Sequence, residues 1–326
     1  MIYKKVKKME DSISALGVGC WNFGGDWDNF NEQKYIDIVH SAIDYGINFF
    51  DVAPVYGWGV SEQILGKALK GRRDKAIIAS KGGLLWDENR NTRNDLSKDS
   101  LLKEVDESLK RLDTDYIDIY QMHWPDPNVP LEETAEALNI IRASGKIRYV
   151  GLSNFSQSDV ERFMEITSVE CQQSLYNMLE RNPKSYHGID LDYRTEDEVL
   201  PCAKKWDQAF LPYSPLFQGL LSRKFKNKDN FSENDIRNNN PKLVGDQLYR
   251  YLKAAEEINQ VSDDIGRPIY QVALNWLRQK PEVTSIINGV SSLEQLQKNV
   301  ESCSWDIDEE TMTKLNRIVE PFYQDE

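Results

Sequence analysis

Short apolar runs rich in β-forming residues alternate eight times with longer segments of helical period, and that alternation constrains the fold of this chain more than any other feature. "SALGVG" (14–19) precedes a helical pattern over 32–45, and "INFF" (47–50) precedes one over 61–69. "AIIAS" (76–80), "YIDIYQM" (116–122) and "RYVGLS" (148–153) lead into 98–111, 131–143 and 157–167. "ECQQSLY" (170–176), "AFLPYS" (209–214) and "TSIING" (284–289) lead into 196–206, 246–279 and 293–301. Parallel strands need long crossovers, so a repeated strand–helix order yields an open doubly wound sheet or a closed barrel. Eight units favour the (β/α)8 TIM barrel. Residues 2–13 alternate in polarity and read as an N-terminal β-hairpin plugging the barrel bottom. No linker rich in Pro, Gly or Ser divides the 326 residues, so 1–326 reads as one domain. The polar stretches 180–198 and 224–242 follow the sixth and seventh strands as long loops. In a barrel they lie on the C-terminal face, where active sites of this fold sit.

Charge and cysteine usage narrow the function classes. Forty Lys and Arg against fifty-three Asp and Glu leave a net charge of −13. A chain this acidic has no basic field with which to neutralise the phosphates of nucleic acid or of an anionic membrane. The N-terminus has lysines but no following apolar segment, and no apolar run approaches the ~18 residues a membrane helix needs. Cys20, Cys171, Cys202 and Cys303 are scattered without CxxC spacing, as expected of reduced thiols in a cytoplasmic protein. Three His and no His/Cys cluster give a metal site no support.

The stretch "NFFDVAPVYGWGVSEQILGKAL" (48–69) puts an acid at a strand tip and a tyrosine five residues later. With strands ending at Phe50, Ser80, Met122 and Ser153, polar groups gather just past successive tips: Asp51 with Tyr56, then Lys81, His123, and Ser153 with Asn154. Singly, each reads as packing or a solvated side chain; their coincidence at equivalent barrel positions points to chemistry. A carbonyl reduced by hydride needs a proton on its oxygen, and a phenol with a pKa near ~10 gives one poorly unless its anion is stabilised. An ammonium such as Lys81 is expected to draw that pKa down, with Asp51 holding the ammonium in place. His123 is expected to donate to the carbonyl oxygen and orient it.

In this order and spacing, "FFDVAPVYGWGVSEQILGKAL", "ASKGG", "YIDIYQMHWPDP", "GKIRYVGLSNFS", "QSLYN" and "YSPLFQGLLSRKF" closely resemble the aldo-keto reductase superfamily, over nearly the whole chain. The resemblance implies a (β/α)8 barrel that binds an extended nicotinamide cofactor without a Rossmann domain. It implies Tyr56 as general acid/base, with Lys81, Asp51 and His123 completing a tetrad. By the same resemblance Ser153, Asn154 and Gln173 hold the nicotinamide carboxamide, and Tyr213 stacks on the ring. Ser214, Leu216, Arg223 and Lys224 then approach the pyrophosphate, and Trp21 sits beside nicotinamide and substrate. "GVGCWNFGG" begins as GxG but lacks the third glycine and opens no helix, so it is no dinucleotide fingerprint.

The adenosine end falls on "NGVSSLEQLQKN" (288–299), at Gly289, Ser291, Gln295 and Asn299. Many family members carry Lys or Arg shortly after this Gly to grip a 2′-phosphate; here Ser291 and Ser292 stand instead. Arg237 or Lys298 is left to supply the charge. NADP(H) is favoured on the family's usage, with NAD(H) the alternative. Trp21, Trp58, Trp86 and Trp124 fall near the loops that ring the pocket, as packing or as a platform for sugar faces. Tyr186, His187 and Tyr193, on a stretch longer than in similar proteins, are further candidates for substrate contacts. The expected activity is interconversion of an aldehyde, ketone or sugar derivative with its alcohol. The alternatives are an NAD-linked sugar dehydrogenase working oxidatively and a cofactor-binding interaction protein resembling channel-associated β subunits.

Overall fold

The computed structural model describes residues 1–25, 30–222, 225 and 236–323. The eight apolar runs form strands β1 (Leu16–Gly19), β2 (Phe49–Asp51), β3 (Ile77–Gly82), β4 (Ile117–Met122), β5 (Ile147–Ser153), β6 (Cys171–Leu175), β7 (Ala209–Tyr213) and β8 (Ile286–Gly289). They pair in parallel in chain order from β1 to β7, and β8 pairs with β1. A parallel bridge between Phe210 and Val283 closes the ring, with the Thr284 amide donating to the Phe210 carbonyl at 2.9 Å.

Alternation along each strand sorts the barrel into an inside and an outside. Phe50, Ile78, Tyr120, Val150 and Phe210 face out and pack beneath the helices. Phe49, Ile77, Ala79, Ile119, Cys171, Leu211 and Ile287 face in and form a separate interior cluster. A hairpin of Tyr3–Lys5 with Ser12–Ser14 closes the barrel bottom, and its Val6, Met9 and Ile13 join that cluster. Gly17 makes room for the interior Phe49 ring: a Cβ there would lie 2.4 Å from it.

Two residues further along each strand the interior turns polar. Residues 49, 79, 119 and 171 are followed, at the same inward phase, by Asp51, Lys81, Gln121 and Gln173. Across the strands Lys81 pairs with Gln121, Asp51 with Ala79 and Gln173 with Ser153, which gathers these side chains near the top of the barrel.

The helices follow the expected order. They are α1 (Glu32–Asp44), α2 (Val60–Leu69), α3 (Lys98–Leu112), α4 (Leu131–Ala143), α5 (Gln157–Ile166) and α6 (Leu200–Trp206). The stretch 246–279 divides into α7 (Gly245–Asp264) and α8 (Ile269–Arg278), because Gly266 takes φ +63° and Pro268 stands at the α8 N-cap. α9 (Leu293–Val300) begins at Ser292, whose hydroxyl accepts from the Gln295 amide, and α10 (Glu309–Val319) ends the fold. Among the described residues no helix is long and apolar enough to cross a membrane.

The loop expected at 180–198 contains a small hairpin, Ser185–Tyr186 against Ile189–Asp190. Its turn residues His187 and Gly188 both take positive φ, +52° and +81°, which suits the twist of a two-residue hairpin. Of the stretch 224–242, residue 224 and residues 226–235 lie outside the described residues; Ile236–Asn239 and Pro241–Leu243 are short 3-10 turns.

Candidate active site

Lys81 is wholly buried in the polar layer at the top of the barrel. Its ammonium donates to both Asp51 carboxylate oxygens at 2.8 Å and to the Val52 carbonyl at 3.2 Å. It also lies 3.3 Å from the Tyr56 hydroxyl. The His123 ring stands edge-on to Tyr56, with centroids 6.0 Å apart. Asp51, Tyr56, Lys81 and His123 therefore converge as the sequence argument expects.

Tyr56 owes its place to the glycines around it. Gly57, Trp58 and Gly59 run at φ +59°, +58° and +95°, a tight left-handed passage that a sequence of bulkier residues would resist. Gly57 packs backbone against backbone on Gly24, where a Cβ would lie 2.0 Å from the Gly24 carbonyl oxygen. That contact sets the Tyr56 ring 6.2 Å from Trp21.

One electrostatic expectation is corrected. Lys81 was expected to pull the Tyr56 phenol down, yet the phenol is held well above its usual range, by burial first and then by Asp51 and Cys20. Burial of the hydroxyl disfavours the phenolate most, and Asp51, which grips the ammonium with both oxygens, adds a negative charge beside it. His123 is pushed well below its usual range, by burial and then by Lys81, so its ring is neutral.

The amides at this level make bonds the sequence did not reveal. Gln173 donates to Asp51 at 2.7 Å, and Gln121, a residue the sequence argument passed over, approaches the same oxygen at 3.4 Å. Asn154, at φ +66°, donates to Ser153 Oγ at 3.1 Å and to the His123 carbonyl at 3.2 Å. Its side-chain oxygen accepts from Tyr213 at 2.9 Å and from Tyr193 at 3.0 Å. Tyr193 is thus a buried brace rather than a substrate contact. His187 bonds Gln218, and of the three candidates from 180–198 only Tyr186 lines the cavity.

That cavity, of about 780 Å³, runs from Tyr56 and His123 past Tyr213 to the N-terminus of α9. Trp21, Trp58 and Trp124 line its mouth. Trp86 does not: it packs behind Trp58, with rings 5.8 Å apart, on the hairpin Leu84–Trp86/Thr92–Asn94. Ser153, Asn154, Gln173, Ser214, Leu216 and Arg237 line the middle. Gly289, Ser291, Ser292, Gln295, Lys298 and Asn299 line the far end. Arg223 and Lys224 lie outside the described residues.

The far end carries unmet hydrogen-bond donors. The buried amide nitrogens of Asn288 and Asn299, both on the cavity wall, have no hydrogen-bond partner among the described residues, as a bound group with acceptors would require. Asn288 and Glu294 were missed from sequence; the "TSIING" run places Asn288 on β8 but says nothing of its unmet donor. Glu294 pairs with Lys298 one turn along α9. Gln295 accepts from both the amide and the hydroxyl of Ser291, at 2.8 and 3.0 Å. Among the described residues no group of three His, Cys, Asp or Glu could hold a metal ion.

The model of the Aldo/keto reductase family matches residues 15–320. The chain belongs to this family. It is 35% identical to the aldo-keto reductase YhdN of Bacillus subtilis, over 98% of this chain and 94% of that protein. It is 28% identical to the NADH-specific methylglyoxal reductase of Escherichia coli, over 95% of each. Among solved structures, the glycerol dehydrogenase of Gluconobacter oxydans superposes with a TM-score of 0.88 at 30% identity, covering 99% of this chain and 97% of that one. This aldo/keto reductase is accordingly an oxidoreductase of the nicotinamide-dependent kind.

Lys81→Met strands the Asp51 carboxylate without its cation and is expected to cost about 3–5 kcal/mol in chemical denaturation. Asp51→Asn in the same background is expected to recover part of that loss. A cost for Lys81→Met below about 1 kcal/mol, the value of an exposed pair, would contradict the assignment of a committed buried pair.

Proposed function

We propose that this aldo/keto reductase interconverts a small carbonyl compound and its alcohol, with Tyr56 transferring the proton. The observation that carries this reading is the Tyr56 hydroxyl on the cavity wall, 3.3 Å from the buried Lys81 ammonium and beside a neutral His123. The nicotinamide, when bound, supplies or accepts the hydride. In reduction the neutral Tyr56 phenol gives its proton to the carbonyl oxygen, and the Lys81 ammonium offsets the phenolate left behind. A neutral His123 keeps one N–H with which to hold the substrate oxygen. Asp51 acts through Lys81 as a positioning residue. Trp21, Trp58 and Trp124 keep water from the reacting oxygen.

The cofactor positions follow the cavity. Ser153, Asn154 and Gln173 would hold the carboxamide, with Tyr213 as the aromatic wall. Ser214, Leu216 and Arg237 would flank the pyrophosphate, and Gly289, Ser291, Gln295, Asn288 and Asn299 the adenosine. Lys298, on the far wall and paired with Glu294, is the cation placed to meet a 2′-phosphate, and with the family's usage it supports NADP(H). The NADH-specific relative shows that the opposite choice also occurs among similar chains. Methylglyoxal and glycerol, named for two relatives, are three-carbon oxygenated compounds, and they support a short carbonyl or polyol substrate here.

Tyr56→Phe is expected to lower kcat about 10²–10⁴-fold in either direction while cofactor binding, followed by fluorescence, persists. Lost cofactor binding would mean the tyrosine is misplaced, and unchanged turnover would refute its role. Lys298→Gln is expected to cut kcat/KM for NADPH about tenfold and to leave that for NADH within about twofold, the scale of one screened charge on a dianionic phosphate. Equal losses with both cofactors would contradict a 2′-phosphate contact.

A further inference from the structure

Tyr186 and Tyr213 line the cavity beside β7 and the 185–190 hairpin, the buried Tyr193 joins them behind it, and two of the three hydroxyls are committed. The hydroxyls of Tyr193 and Tyr213 both donate to the Asn154 side-chain oxygen. The third, Tyr186, packs edge-to-face on Tyr213, with centroids 5.3 Å apart, and lines the same cavity as Tyr56. Its hydroxyl has no hydrogen-bond partner among the described residues. A phenol this enclosed pushes its own ionisation upward, by burial first and then through the nearby Tyr56, so it stays a neutral donor and acceptor facing the reacting end of the cavity.

The hairpin holds this phenol firmly. His187 packs on the Tyr186 ring at 4.5 Å and bonds Gln218, which in turn accepts from Asn240 Nδ2 at 3.1 Å. At the hairpin base the Leu191 amide donates to the Lys184 carbonyl at 2.8 Å, and Arg194 Nη1 donates to the Leu191 carbonyl at 3.1 Å. The hydroxyl is thus held in place on the cavity wall with its donor and acceptor capacity open to a ligand.

We infer that Tyr186 is a specificity-determining residue that hydrogen-bonds a hydroxyl of the substrate, so that the preferred substrates are hydroxylated carbonyls such as short sugars and hydroxy-ketones, not plain aldehydes. The inference rests on the carbonyl-reductase reading above and adds the substrate class. A site built around a hydroxyl discriminates against the analogue lacking it because a protein group is then left unpaired.

The test compares glyceraldehyde with propanal, which share a three-carbon chain and differ in hydroxyls, in wild type and Tyr186→Phe. The phenylalanine keeps the ring packing on Tyr213 and removes only the hydroxyl. The ratio of kcat/KM for glyceraldehyde to that for propanal is expected to fall about tenfold or more in the variant. A ratio unchanged within about twofold, whether both rates fall together or neither does, overturns the inference while leaving the reductase reading intact. No turnover of either aldehyde by the wild type, with NADPH or NADH, overturns that reading and this inference with it.

Discussion

The Asp51–Lys81 pair sets the terms for the rest of this structure. An ammonium and a carboxylate with almost no solvent exposure lose their hydration, and mutual attraction compensates only where geometry and further hydrogen bonds are good. Here both carboxylate oxygens meet the ammonium, while Gln173 and the Val52 carbonyl take up remaining capacity. The pair sits where the barrel interior passes from apolar to polar. Below it, the Phe49, Ile119 and Leu211 layer and the N-terminal hairpin close the interior with apolar side chains. Above it, the cavity begins. The barrel holds the pair, and the pair in turn positions Tyr56.

Much of this was legible because barrel chemistry follows strand phase. An inward residue two positions beyond an inward Phe49 or Ala79 must also face in, which puts Asp51 and Lys81 together without knowledge of any distance. All eight strands fall on the apolar runs for the same reason: strands flanked by an interior and by a layer of helices are buried on both sides. The break between α7 and α8 was also marked, by Gly266 and Pro268, although the helical period alone runs through it.

What was not legible depends on angles and competing partners. The string of residues cannot say how deeply the Tyr56 hydroxyl is buried or that Asp51 grips Lys81 with both oxygens, and so it predicted the wrong direction for the phenol. Nor can it say that Asn154 is spoken for by two tyrosines, one of them from a stretch expected to touch substrate. Trp58 and Trp86 are equally plausible at a pocket mouth by position; only the antiparallel hairpin at 84–94 places the second behind the first. The partnerless hydroxyl of Tyr186 has no sequence signature, because it is defined by what fails to reach it.

The central claim is that Tyr56 works as a neutral phenol, its proton retained by burial first and then by the negative charge of Asp51. Titration of the protein labelled with 13C at the tyrosine ζ-carbon, with the Tyr56 resonance assigned by its loss in Tyr56→Phe, measures this directly. The account predicts a resonance that does not shift below about pH 10, the ordinary range for tyrosine. A Tyr56 resonance that titrates near neutrality would contradict it, showing that the ammonium outweighs the carboxylate at the phenol.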